Sequence, residues 1–144
     1  MDEKLLENLD QNITQFAKAD NGKLRVTLVP TQITRDIAEV RMYGDQKYHA
    51  PNNWVLVEMS RYVDAMMRHL LAFIDDPNSV DEESGIPHYK HAACNMAFIC
   101  DMMSNDWDKR RRRLILSDPK LQAQLEEYAK KAAEAAKSNK ESKE

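Results

Sequence analysis

Three of the four histidines, His69, His88 and His91, fall between Arg61 and Met103, a stretch that also holds Asp64, Arg68, Asp81, Glu83 and Asn95. His88, His91 and Asn95 are spaced i, i+3, i+7, which on a helix places them within about 60° of one another. Two imidazoles one turn apart can share a metal ion or bracket a phosphate, or else hydrogen-bond inside a bundle. Asp64 and Arg68, with His69 beside them, form either a simple i,i+4 ion pair or a working pair. In the second case the carboxylate sits on a metal and the guanidinium holds phosphate oxygens two at a time. Glu83 is either a ligand or base that takes a proton from an attacking water, or an acid favoured by the helix dipole ahead of Pro87.

Other residues could complete such a site. Lys23 and Lys47 lie beside turn signals and suit phosphate, as well as plain solvation. Tyr48 and Trp54 could stack on a base or plug the edge of a core. Asn53 and Asn95 could orient a ligand, and Glu39 offers a further acid. The block Arg110–Arg113 could hold a nucleic-acid backbone or an acidic partner, or pair with the chain's own acids.

These groups need elements to hold them. Residues 1–18 place Leu5, Leu9, Ile13 and Phe16 at helical spacing and predict one amphipathic helix. Asp20-Asn21-Gly22 predicts a turn, and residues 23–29 an extended connector ending at Pro30. A second helix starts at Thr31 or Thr34, with Ile33, Ile37 and Val40 as its stripe, and stops at Gly44; residues 44–54 then form a polar, aromatic loop. A third runs from Val57 or Ser60 to Ile74, burying Val63, Met67, Leu70 and Ile74, and ends at Asp75-Asp76-Pro77-Asn78. A fourth opens at Pro87. After Asn105 come the arginine block, a break at Asp118-Pro119, a helix over 119–137 and a frayed tail. The fold class is therefore all-α, a bundle of about four core helices with a C-terminal helical appendage.

The 144 residues carry a net charge of −3, which argues against nucleic acid as a partner and against an anionic membrane surface. No apolar run approaches the ~20 residues that span a bilayer, and no signal peptide is read. Cys94 and Cys100 lie six apart on one expected helix and point in different directions, which argues against a mutual disulfide. Two free thiols fit a reducing compartment, so the expected location is the cytoplasm.

Five short motifs stand in register between Gly22 and Asn95. They are GK followed by LVP (Gly22–Pro30), AEVxxYGxxKY (Ala38–Tyr48), NNW (Asn52–Trp54), RYxDAxxRHLLAF (Arg61–Phe73) and DEESGIPHxxHAACN (Asp81–Asn95). In these the chain resembles the phage dATP/dGTP diphosphohydrolase family, usually placed among the MazG-like all-α nucleotide pyrophosphohydrolases. The resemblance implies metal-dependent cleavage between the α and β phosphates of a purine deoxynucleoside triphosphate, giving monophosphate and pyrophosphate. MazG-like enzymes arrange four carboxylates, ExxE and ExxD, around Mg²⁺; here His88-xx-His91 stands where ExxD is expected, and Asp64 is the only acid on the preceding helix. Nitrogen donors suit Mn²⁺, Zn²⁺ or Fe alongside Mg²⁺ as the divalent metal.

The expectations are as follows. Residues 1–106 form a helical nucleotide-hydrolase-like domain, and residues 107–144 a basic segment, C-terminal helix and disordered tail. Glu83, Asp64 and Arg68 are catalytic. Lys23, Lys47, Tyr48, Asn53, Trp54 and Asn95 bind substrate, and His69, Asp81, Glu83, His88 and His91 hold metal. The protein acts on the nucleotide pool during phage infection, in the host cytoplasm, as a homo-oligomer. The alternative is a non-catalytic phage protein that binds a nucleotide, or a host protein through Arg110–Arg113 and the C-terminal helix.

Overall fold

Rings meet rings along two helices that run antiparallel. Tyr62 contacts Phe98, His69 contacts His91, and Phe73 contacts Tyr89, so ascending numbers on one helix meet descending numbers on the other. This pair is the centre of a computed structural model that describes residues 1–143. The helices are α1 (Glu3–Glu7), α2 (Gln11–Ala17), α3 (Gln32–Tyr48), α4 (Met59–Asp75), α5 (His88–Met102), α6 (Trp107–Ser117) and α7 (Pro119–Glu141). Among the described residues the only β pairing is an isolated bridge, Val80 with Pro87, so the fold is all-α as the sequence predicts. The chain divides into two compact units, one from Met1 to Pro30 and one from Thr31 onward.

In the first unit the single helix expected over 1–18 is instead two. Asp10 accepts hydrogen bonds from the N–H groups of Asn12 and Ile13, at 2.9 and 3.0 Å, and so starts a new helix where the old one would have continued. Its apolar side chains stand exposed, Phe16 at 96 %. Gly22 takes the expected turn with φ of 80°, and the connector beyond it contains a short 3₁₀ turn, Val26–Leu28.

In the second unit α3 does not stop at Gly44. It runs on to Tyr48 and ends where His49 adopts a left-handed φ of 55°, two residues before Pro51. A mid-helix glycine costs only about 1 kcal/mol against alanine, too little to end a helix whose next stop signal lies one turn on. Lys47 and Tyr48 consequently sit on a helix rather than in a loop. Thr31 holds the position before α3, but its hydroxyl accepts from Arg35 instead of capping. Val40 of α3, Ile86 of the α4–α5 loop and Cys94 of α5 form the buried cluster, with Ile37, Tyr43 and Phe98 packed on it.

The face of α4 expected to be buried is not the one that is. Met67 is 44 % and Ile74 64 % exposed, with Val63 and Leu70 also exposed, whereas Tyr62, Ala65, His69 and Phe73 turn inward. The helix carries apolar groups around more than half its circumference, so periodicity alone could not tell which side α5 would take. At the other end α6 and α7 are tied back to the segment before α4. Arg111 donates to the Val55 carbonyl at 2.8 Å, Asn52 to Asp118 at 3.0 Å and Gln124 to the Tyr48 carbonyl at 2.6 Å. Val55 and Leu121 are fully buried there. Pro119 opens α7 as expected, and the helix continues through four residues of the expected tail to Glu141.

Leu121→Ala is expected to lower unfolding free energy by about 2–5 kcal/mol. Leu116→Ala, at a side chain 67 % exposed, should change it by less than about 0.5 kcal/mol. Denaturant titration of the two variants checks this, and equal midpoints would show that Leu121 is not a core residue.

Candidate functional site

The loop between α4 and α5 is a tight, self-bonded turn. The Asp81 N–H donates to the Ile86 carbonyl at 2.9 Å, and the Gly85 N–H to the Asp81 carbonyl at 2.7 Å. Gly85, with φ of 70°, supplies the left-handed residue the turn requires. The closure carries Asp81 over the ends of both helices, beside His69 of α4 and His88 of α5. Donor atoms of His69, Asp81 and His88 lie within 4.8 Å of one another. The Nδ1 atoms of His69 and His88 are 2.8 Å apart, and the His69 ring stacks on His91 at 4.6 Å and 11°.

Two imidazoles and a carboxylate form a mixed nitrogen–oxygen set that fits a borderline divalent ion such as Mn²⁺, Zn²⁺ or Fe²⁺. Nitrogens bound at about 2.1 Å and a tetrahedral angle sit roughly 3.4 Å apart, so the His69–His88 pair needs only a small opening. Of the other two expected ligands, His91 turns Nε2 to the Ser84 hydroxyl at 2.7 Å and lies 3.8 Å from Asp81 Oδ2. Glu83 is tied instead to Lys47 at 2.6 Å, with a side chain 62 % exposed.

Two members of the cluster, His69 and Asp81, line a cleft of about 880 Å³ formed by α3, the 3₁₀ turn Asn53–Leu56, α4, the acidic loop and α5, and His88 is not part of that lining. Of the expected site residues, Lys47, Tyr48, Asn53, Trp54, Arg68, His69, Asp81, Glu83, His91 and Asn95 line it. Asp64 does not: it is exposed and makes no ion pair with Arg68 among the described residues. Lys23 belongs to the first unit and is exposed there. Glu39 is held by Lys90 at 2.7 Å, and Lys90 also lies 3.4 Å from the buried Asp36. Trp54 stacks on Phe98, at 4.7 Å, and on Trp107, at 5.3 Å, and so braces the cleft wall that it lines.

Sequence reading did not single out Arg41, Arg61, Tyr43 or Ser84. Arg61, Ala65 and Arg68 follow i, i+4, i+7, a stripe that the aliphatic pattern of α4 obscured. Arg41 stacks over Phe98 at 5.2 Å and bonds the Pro51 carbonyl. Two of the four residues of the arginine block are engaged within the fold, and Arg112 and Arg113 are exposed. Arg110 pairs with Asp101 at 3.1 Å and stacks on Trp107, while Arg111 holds Val55. A smaller hollow of about 360 Å³ near Met102 and Trp107 contains no histidine.

The surroundings of His69 and His91 favour their neutral forms. Burial pushes His69 below the usual histidine range, helped by His91 and His88; burial likewise lowers His91, against the pull of Asp81. For Asp81 burial acts upward, but the Ser84 hydroxyl and N–H outweigh it and hold the carboxyl below its ordinary value. Hydrogen bonds from Lys47 and Tyr43 lower Glu83, and the same bond raises Lys47. Burial lifts the Cys94 thiol to about 11, so this cleft residue stays protonated and is no nucleophile.

Residues 14–112 match the sequence model of a family described as dATP/dGTP diphosphohydrolase, N-terminal. Over 88 residues the chain is 35% identical to a dATP/dGTP diphosphohydrolase of Salmonella phage PMBT28. That alignment covers 61% of this chain and 30% of the relative, so the chain spans under a third of that protein's length. No solved structure matches. No helix among the described residues is long and apolar enough to cross a membrane.

The lowered His69 and His91 values fix the sign of a pH dependence. Below the ordinary imidazole value of about 6.5 the unfolded chain binds protons that the folded one resists, so stability falls as pH drops through that window. Asp81, shifted down, contributes stability above the ordinary carboxylate range that is lost on further acidification. Urea midpoints measured from pH 8 to pH 4 are expected to decrease, less steeply in His91→Asn; a midpoint rising on acidification would contradict the assignment.

Proposed function

This chain belongs to the dATP/dGTP diphosphohydrolase N-terminal family, and on that premise we propose that its cleft binds a purine (deoxy)nucleoside triphosphate and hydrolyses it to monophosphate and pyrophosphate. One observation carries the reading: Arg41, Arg61, Arg68 and Lys47 converge in a single cleft that His69 and Asp81 also line, with a donor atom of His88 within 4.8 Å of theirs. A pocket of this volume suits a nucleotide, and four cations facing one cavity suit a triphosphate.

The roles follow from what each group has left to give. The guanidinium groups of Arg61 and Arg68 have no hydrogen-bonded partner among the described residues, so their planar forks are free for phosphate oxygens. Lys47 is held at the cleft rim by Glu83 and lies 5.4 Å from the Tyr48 ring centre, poised to exchange a carboxylate for a phosphate. In this reading Glu83 positions Lys47 rather than acting as the base, since both its bonds stabilise the deprotonated, weakly basic form. Asn53 accepts a hydrogen bond from Tyr128 at 3.2 Å, which leaves its amide N–H groups for a base edge. Tyr48 and Asn95 complete the substrate side of the cleft. A divalent ion on His69, Asp81 and His88 would act as a Lewis acid toward a phosphoryl oxygen and lower the pKa of water. Arg68 then offsets the charge that builds on the departing pyrophosphate. Asp64, outside the cleft, takes no part.

The Salmonella phage relative supports a role in adjusting a nucleotide pool during infection. The test is release of pyrophosphate from dATP and dGTP by the purified chain. Turnover should be abolished by chelator and restored by Mn²⁺ at least as well as by Mg²⁺. Arg68→Ala is expected to lower kcat by about 100-fold or more, and His88→Ala to lower metal affinity by at least tenfold in a titration without substrate. Turnover indifferent to both chelator and Arg68→Ala would overturn the reading.

A further inference from the structure

The acidic loop holds a hydroxyl whose every hydrogen-bonding position is committed. Ser84 Oγ donates to Asp81 Oδ2 at 2.8 Å, accepts the Ile86 N–H at 3.2 Å, and lies 2.7 Å from His91 Nε2. A serine hydroxyl has one proton and two lone pairs. An ionised carboxylate can only accept, so the proton belongs to Asp81. The Ile86 N–H occupies one lone pair. The other faces His91, and Nε2 must therefore be the protonated nitrogen of that ring.

The rest of the ring's surroundings does not decide the tautomer. His69 stacks on His91 at 4.6 Å and fixes the plane of the imidazole, but a stacked face does not distinguish one nitrogen from the other. His91 Nδ1 has no partner among the described residues, and the side chain lines the cleft.

We propose that Ser84 is a positioning residue that locks His91 in the Nε2–H tautomer, leaving Nδ1 as the unprotonated acceptor for the water consumed in hydrolysis. The water oxygen bonds to phosphorus while one water proton passes to Nδ1. The phosphorus–oxygen bond to the leaving group breaks, and pyrophosphate departs with the bonding pair. The imidazolium so formed keeps its Nε2–H on the Ser84 hydroxyl, whose own proton stays directed at the Asp81 carboxylate, and Nδ1 then gives the water proton to solvent, which restores the Nε2–H tautomer. The role of Nδ1 rests on the hydrolase reading, whereas the tautomer itself does not.

The experiment reads the two separately. Ring nitrogen chemical shifts of the full chain, labelled with ¹⁵N-histidine, are recorded at about pH 8.5, above ordinary imidazole titration. His91 in the wild type should show a protonated-type Nε2 and an unprotonated-type Nδ1. In Ser84→Ala the two shifts should move toward each other as the second tautomer gains population, and Ser84→Thr should restore the separation. A protonated Nδ1 or averaged shifts in the wild type would overturn the lock without recourse to any variant. Turnover of dATP or dGTP should fall about 10- to 100-fold in kcat for Ser84→Ala, with KM little changed, and recover in Ser84→Thr. An unchanged kcat despite the altered tautomer would remove Nδ1 from the reaction. A wild type that shows the locked tautomer but hydrolyses no nucleotide would overturn the hydrolase reading alone.

Discussion

The docking of α4 on α5, ring against ring, is the constraint from which the rest of the second unit follows. Three aromatic or imidazole contacts, Tyr62 on Phe98, His69 on His91 and Phe73 on Tyr89, set the register of the two helices. A shift of one turn would separate His69 from both His88 and His91. The loop that joins the helices is closed by its own backbone bonds, so Asp81 is delivered to that level by chain geometry. Packing and placement of chemistry are here the same interaction.

That arrangement explains why an imidazole cluster is tolerated. Neighbouring histidines repel when charged and cost desolvation when buried, and both effects favour the neutral form. Neutral imidazoles can ligate or accept protons, and the cations that line the cleft stand elsewhere, on the arginine stripe of α4 and the last turns of α3. The cleft thus separates its positive charge from its proton acceptors. Asp81 joins the two functions: it is one member of the donor cluster, and through Ser84 it also governs the neighbouring ring.

Much of this was legible from residue spacing. His91 and Asn95 of the i, i+3, i+7 run line the cleft while His88 does not, Asp75–Asn78 ends α4, Pro87 caps α5, and ten of the expected residues line a single cleft. What spacing could not supply was the partner of each face. The aliphatic side of α4, with Met67 and Ile74, looked like the buried one, yet α5 took the side bearing Tyr62 and His69. Trp54 looked like a stacking platform, but Phe98 and Trp107 stack on it from positions more than forty residues away. Gly44 looked like a stop, but the left-handed residue that ends α3 is His49.

By itself, then, the sequence determined the helical class, most helix starts and the set of side chains able to do chemistry, because those depend on local propensity and on the helical period. Tertiary structure decided which of them meet. It drew His69, Asp81 and His88 together, turned Glu83 to Lys47 and His91 to Ser84, and left Asp64 outside. Contacts between segments depend on which face each neighbour covers and at what register, and no period within one helix encodes that choice.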